Sequence, residues 1–136
     1  MQFDFQSMKP MDRYELLLGT ILPRPIAIVT TVSTEGAINA APFSLFNVVS
    51  HDPPVIMFAV LAHPEGRYKD TAANIFATRE FAVNLVGRSM ADAMNVTNID
   101  APPGINEASL AHPTEPSASI KPPRIKESPL FLNGAY

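Results

Sequence analysis

Residues 24–47 read Arg24-Pro-Ile-Ala-Ile-Val-Thr-Thr-Val-Ser-Thr-Glu-Gly36-Ala-Ile-Asn-Ala-Ala-Pro42-Phe-Ser-Leu-Phe-Asn47, and this stretch decides the fold. The apolar, β-branched run at 26–33 predicts a strand that is buried on both faces. Gly36 supplies a turn in which a positive φ angle is easily adopted. Residues 37–50 predict a second strand paired with the first and bent near Pro42, because proline within a strand indicates an edge or a bulge.

The rest of the chain adds short elements to this hairpin. Asp70 or Thr71 is expected to cap a helix that runs to about Thr78. From Thr97 to residue 129 the sequence becomes rich in proline and polar residues, which predicts a long loop or arm with one short element at 106–110. The further predicted elements are helices at 12–18 and 89–96 and strands at 55–61 and 81–86.

Length and composition indicate one domain over residues 1–136. The chain has no cysteine, which excludes disulfides and thiolate metal sites. A net charge of −3 argues against nucleic acid as a partner, since phosphate backbones require clustered cations. The apolar runs are too short to span a bilayer, and the first residues lack the features of a secretory signal. We therefore expect a soluble, cytoplasmic protein that binds neither nucleic acid nor membrane.

The first candidate site is the segment from Gly66 to Thr71. A phosphate monoester requires cations and N–H donors in one small volume, and a helix N-terminus adds the positive end of its dipole. Arg67 and Lys69 supply the charges, and Thr71 supplies a hydroxyl and an amide. Asp70 would repel a phosphate, and we expect it to cap the helix or to orient Arg67 or Lys69. On spacing alone, an ordinary charged loop before a capped helix is the preferred interpretation.

The second candidate site is the segment from Pro42 to Asn47. A planar cofactor ring requires an apolar wall and a few polar groups for its edge. Phe46 or Phe43 would supply the wall, and Ser44 and Asn47 the polar groups. The alternative is that both phenylalanines are core residues and that Ser44 and Asn47 face solvent.

Other chemistry finds little support in the sequence. The three histidines lie beside proline or Asp-Pro in predicted loops, and no pair has the spacing of a helical metal site. The common hydrolase and nucleotide fingerprints are absent from the sequence. We predict no catalytic side chain and no metal.

Taken together, several segments resemble the flavin reductase-like, FMN-binding split-barrel family in order and spacing. The resemblance covers about residues 20–129. The segments that carry it are 24–31, 39–47, 50–58, 69–75, 80–86 and, in style, 121–129.

The resemblance implies an antiparallel Greek-key split β-barrel with flanking helices, working as a homodimer with FMN at the subunit interface. The FMN phosphate would be held by Arg67, Lys69, Asp70 and Thr71, as that resemblance implies. The flavin ring would lie along Ser44, Phe46 and Asn47. Members of the family reduce flavin with NADH or NADPH or carry electrons on bound flavin, and some supply reduced flavin to a partner monooxygenase.

Two alternatives to an NAD(P)H-dependent flavin reductase remain at this point. One is a non-catalytic flavin-binding electron carrier of the flavoredoxin type, and the other is a truncated, inactive remnant. The remnant is considered because members of the family continue through further barrel strands after the segment that ends at Pro129. We therefore expect a barrel shortened at its C-terminus, which is marginally stable alone or depends on dimerisation.

Overall fold

The computed structural model describes residues 3–63, 65–96 and 112–136. Within these residues the helices are α1 (Pro10–Thr20), α2 (Asp70–Thr78) and α3 (Ala91–Val96), with a 3₁₀ turn at Arg88–Met90 directly before α3. The strands are β1 (Ala27–Val32), β2 (Ile38–Phe43), β3 (Phe46–His51), β4 (Pro54–Phe58), β5 (Glu80–Leu85), β6 (Thr114–Glu115), β7 (Arg124–Ile125) and β8 (Phe131–Ala135). None of the helices in this described part is long and apolar enough to cross a membrane.

The strands form antiparallel sheets. The largest sheet has the order β2-β1-β5-β8, so β1 and β5 are its central strands. The β3–β4 hairpin and the short β6–β7 pair form separate two-stranded sheets. A mainly β architecture with flanking helices was expected from the sequence, and the described residues have it.

The predicted β1–β2 hairpin is present. The two strands pair in one continuous register, from Ala27 opposite Phe43 to Val32 opposite Ile38. Gly36 lies in the turn with a φ of 88°, a conformation that a residue without Cβ adopts at little cost. The turn is closed by a hydrogen bond of 2.8 Å from the Ser33 amide to the Ala37 carbonyl.

The prediction of one bent strand over residues 37–50 is wrong. The chain leaves the large sheet after Phe43 and begins β3 of a different sheet at Phe46, so the break lies at Ser44 and Leu45. Pro42 lies within β2, opposite Ile28, without ending the strand. This is possible because β2 is an edge strand, where a missing N–H donor need not interrupt a ladder. The bulge lies between Val48 and Ser50 of β3.

β1 separates two clusters of buried side chains. Ala27 and Val29 pack in a first cluster with Phe46, Ile75 of α2, Phe81 and Val83. Ile28, from the other face of the strand, packs in a second cluster with Ala40, Met90 and Ile125. The alternation follows from the strand period of two, which sends neighbouring side chains to opposite faces.

Buried polar groups fasten the proline-rich segment to the second face of the sheet. Asn84 is fully buried; its side-chain amide donates to the Ile28 carbonyl at 3.1 Å and accepts from the Ile125 amide at 2.7 Å. Thr30 donates to the carbonyl of Pro123 at 2.5 Å. The described part of the predicted arm, residues 112–129, contains only the two-residue strands β6 and β7. The element predicted at 106–110 lies outside the described residues.

Candidate functional site

The cationic loop before α2 is shaped by a tight turn. The Gly66 amide donates to the His63 carbonyl at 2.8 Å, and the His63 amide donates to the Arg67 carbonyl at 2.9 Å. Gly66 has a φ of 79°. The side chains of Arg67 and Tyr68 are exposed after this turn, and Lys69 and Asp70 are half-buried at the start of the helix.

The predicted helix cap is wrong in its residue. The N-cap of α2 is Lys69, and Asp70 and Thr71 are the first two residues of the helix itself. A lysine side chain carries no acceptor, and in the described structure Lys69 makes no side-chain cap hydrogen bond to the helix. The first turn of α2 therefore combines the positive end of the helix dipole with neighbouring cations. It has no side-chain cap from its N-cap residue.

Thr71 is held against the sheet by its hydroxyl. The residue is 2% exposed, and its Oγ1 accepts a hydrogen bond of 2.9 Å from Nδ2 of Asn39 in β2. A second amide, Nδ2 of Asn74 on α2, donates to Oγ1 of Thr31 in β1 at 3.0 Å. The sequence reasoning missed this network. A usable signal existed, because the register of the Gly36 hairpin places Asn39 opposite Thr31.

The predicted ring-binding residues are divided between the surface and the core. Ser44 is half-buried at the corner between β2 and β3. Phe46 is only 8% exposed and belongs to the core cluster that also contains Ile75 of α2. Asn47 is exposed, and its Oδ1 accepts from the backbone amide of Val48 at 2.8 Å. Phe46 can therefore back a cofactor wall through packing, and Ser44 and Asn47 lie nearer the surface.

The two candidate segments are joined through β2. Its Asn39 contacts Thr71, and Ser44 follows five residues later along nearly extended chain, which corresponds to about 17 Å. Phe46 and α2 also meet in the first core cluster. The structure thus connects the segments to one strand and one core but does not bring Ser44 beside Thr71 directly.

The donor set at α2 fits a phosphate monoester. A phosphate requires N–H donors and positive charge, and here Arg67 and Lys69 precede the first turn of a nine-residue helix. Asp70 is an acidic residue in that turn, which is favourable to the helix dipole and unfavourable to a second anion. Apolar and aromatic side chains near the β2–β3 corner could form an apolar wall against a planar ring. They include Phe43 and Phe58, whose ring centroids are 5.2 Å apart.

A cavity of about 300 Å³ lies away from these segments. It is lined at the C-terminal end of α2 by residues that include Thr78, Glu80 and Lys121. None of the seven predicted cofactor-binding residues is among the described residues that line it. We therefore do not assign the flavin to this cavity.

One histidine has surroundings that the sequence did not reveal. The His112 side chain is buried, with Nδ1 at 3.4 Å from the Glu127 carboxylate. Its Nε2 has no hydrogen-bond partner within the structure as described. The described ranges contain no group of three or more His, Cys, Asp or Glu side chains that could hold a metal ion.

The family is decided by a match to the model of the flavin reductase like domain, which covers residues 18–135. The chain belongs to the flavin reductase-like family. An uncharacterized protein of Aquifex aeolicus is 45% identical over 116 residues, which are 85% of this chain and 59% of that protein. The chain therefore spans less than two thirds of the length of this curated relative.

Solved structures of the flavin reductase-like type agree with this membership. Nitrilotriacetate monooxygenase component B from Bacillus cereus is similar, with a TM-score of 0.93 and 36% identity, over 98% of this chain and 66% of that chain. A protein with a split barrel domain from Shewanella frigidimarina shares the fold at a TM-score of 0.80 and 18% identity, over 98% of this chain and 67% of that chain. The predicted family and split-barrel fold are confirmed. The seven cofactor-binding residues stay predictions.

Proposed function

We propose that this chain is the FMN-binding part of an oxidoreductase that transfers hydride from NADH or NADPH to flavin. Membership in the flavin reductase-like family supports the reaction class. The cationic turn before α2 supports FMN, because a terminal phosphate is the flavin group that such a turn recognises. The chain spans 59% of the length of the Aquifex aeolicus relative. The activity of the whole protein is therefore proposed here as well.

The phosphate-binding roles are assigned to the loop and first turn of α2. The guanidinium of Arg67 forks onto phosphate oxygens, and the ammonium of Lys69 adds a point charge. Backbone N–H groups of the first turn donate in the direction of the helix dipole. Asp70 orients the neighbouring cations, and Thr71 fixes the turn against β2 through its bond with Asn39.

The ring-binding roles are assigned to the β2–β3 corner. Ser44 and Asn47 provide polar contacts for the edge of the ring, and Phe46 supports the wall from the core. Bound FMN supplies the hydride-accepting chemistry itself. The protein binds, orients and shields the cofactor, which requires no protein nucleophile.

A second copy of the chain is proposed at the β3–β4 hairpin. Val55 at 41% and Met57 at 56% are exposed on the same face of β4, and Val48 at 64% and Val49 at 60% are exposed beside the bulge of β3. Clusters of exposed apolar residues commonly mark association surfaces. We propose a homodimer with flavin near this interface, and a partner monooxygenase as one recipient of reduced flavin. The cytoplasmic location expected from the sequence also stays a prediction.

The proposed reaction is tested directly with the wild-type chain. Under anaerobic conditions, NADH or NADPH added to the FMN-loaded protein should abolish the visible absorbance of the flavin, with one nucleotide oxidised per flavin. Bound FMN that neither nucleotide reduces would instead identify an electron carrier. A chain that binds no FMN would contradict the proposal altogether.

Replacing the two cations tests the phosphate assignment. Arg67→Ala combined with Lys69→Ala should weaken FMN binding by about 1.5–3 kcal/mol for each residue, because charge-assisted hydrogen bonds are lost. Isothermal titration calorimetry with FMN measures the change in binding free energy. Arg88→Ala is the control, since it removes an exposed cation from the 3₁₀ turn outside the site. Unchanged FMN affinity in the double variant would rule out the phosphate assignment.

Charges on the hairpin test the dimer. Sedimentation equilibrium should give the wild type twice the 14.8 kDa mass of the chain. Val55→Glu combined with Met57→Glu, two exposed positions on one face of β4, should give the single-chain mass, because burying unpaired carboxylates in an interface is strongly unfavourable. Met11→Glu, at an exposed apolar position of α1, should leave the dimer intact. A wild type that sediments as a single chain would refute this interface.

A further inference from the structure

We propose that Asn39 is a positioning residue that sets the preference of the site for a phosphorylated flavin. Its side-chain amide holds Thr71, and with it the first turn of α2, against β2. Asn39 contacts no phosphate itself and acts through the orientation of that turn. This inference rests on the proposed function, because it concerns the same phosphate site.

The contact is well placed for this role. Nδ2 of Asn39 donates to Oγ1 of Thr71 at 2.9 Å, and Thr71 is only 2% exposed. Thr71 is the second residue of α2, and the amides of the first turn lack intrahelical acceptors. These amides are the donors that an anion at a helix N-terminus uses. A side chain that fixes Thr71 therefore fixes the direction of the phosphate donors.

The Thr71 hydroxyl is committed to the interior of the molecule. A residue with so little exposed surface offers its hydroxyl to β2 more readily than to a ligand outside. The phosphate contacts then fall to Arg67, Lys69 and the backbone amides, with Thr71 as the link between the turn and the sheet. Removing the Asn39 amide leaves the Thr71 hydroxyl without this donor and releases the first turn.

Asn74, which lies on α2 itself, provides a matched comparison for Asn39 of β2. Its Nδ2 donates to Oγ1 of Thr31 at 3.0 Å, so it also ties α2 to the large sheet through a threonine hydroxyl, to which Asn39 donates a longer bond of 3.5 Å. Asn74 follows Thr71 by three residues, about one helical turn. Both side chains are half-buried amides with bonds of nearly equal length. Asn74 should therefore hold the body of the helix, and Asn39 its N-terminus.

Riboflavin separates phosphate binding from ring binding. It has the ring and the ribityl chain of FMN and lacks the phosphate, so a displaced first turn should affect FMN alone. The ratio of the riboflavin dissociation constant to the FMN dissociation constant measures the phosphate preference. A general loss of folding or of ring binding would raise both constants and leave their ratio nearly unchanged.

The experiment titrates FMN and riboflavin by flavin fluorescence into the wild type, Asn39→Ala and Asn74→Ala. We expect the wild type to prefer FMN. Asn39→Ala should raise the FMN dissociation constant by about tenfold, the scale of one hydrogen bond, and the riboflavin constant by less than about threefold. Asn74→Ala should leave the ratio within about threefold of the wild type. The role of Asn39 would be overturned if Asn39→Ala raised both dissociation constants by the same factor. It would also be overturned if Asn74→Ala lowered their ratio as much as Asn39→Ala does.

A double-mutant cycle with Thr71→Val provides a second test. In the Thr71→Val background, Asn39→Ala should lower the ratio no further, because the two substitutions break the same bond. Additive losses would overturn the inference. If the wild type shows no preference for FMN over riboflavin, the proposed phosphate site fails together with this inference. A wild-type preference that survives Asn39→Ala unchanged overturns the inference alone.

Discussion

The burial of β1 on both faces is the constraint from which the rest of the structure follows. Residues 27–31 are fully buried, and β1 pairs with β2 on one side and β5 on the other. Its alternating side chains serve two different packing layers. Ala27 and Val29 pack in the cluster with Ile75 of α2, and Ile28 packs with Ile125 of the proline-rich segment.

Two neighbouring threonines extend this division to polar contacts. Thr30 donates to the carbonyl of Pro123 and so holds the proline-rich segment, which Asn84 also fastens. Thr31, on the opposite face, accepts from Asn74 of α2. The body of α2 is thereby attached to a buried central strand, and the cationic turn before the helix is an exposed loop. For the proposed phosphate site, a loop on a buried scaffold would combine access to the ligand with fixed donor directions.

The sequence predicted those features that depend on local signals. The β1–β2 hairpin follows from an apolar run and Gly36, α2 follows from the capping residue types at its start, and β5 follows from its alternating apolar residues. The break at Ser44 and Leu45 was missed because neither glycine nor proline lies at these positions. The bend was predicted near Pro42 instead, where the strand in fact continues. The Asn39–Thr71 contact joins residues 32 positions apart, and only the packing of α2 on the sheet creates it. Residue chemistry indicated the two candidate segments and the family resemblance gave them their roles, but neither carried information on which of the residues are buried.

The most direct measurement of the central claim is a crystal structure of the FMN complex. We expect the phosphate oxygens to lie about 2.7–3.2 Å from first-turn amides of α2 and from the cationic groups of Arg67 and Lys69. The Asn39–Thr71 bond should be intact behind them. A phosphate bound elsewhere on the molecule, with the first turn of α2 facing solvent, would contradict the assignment.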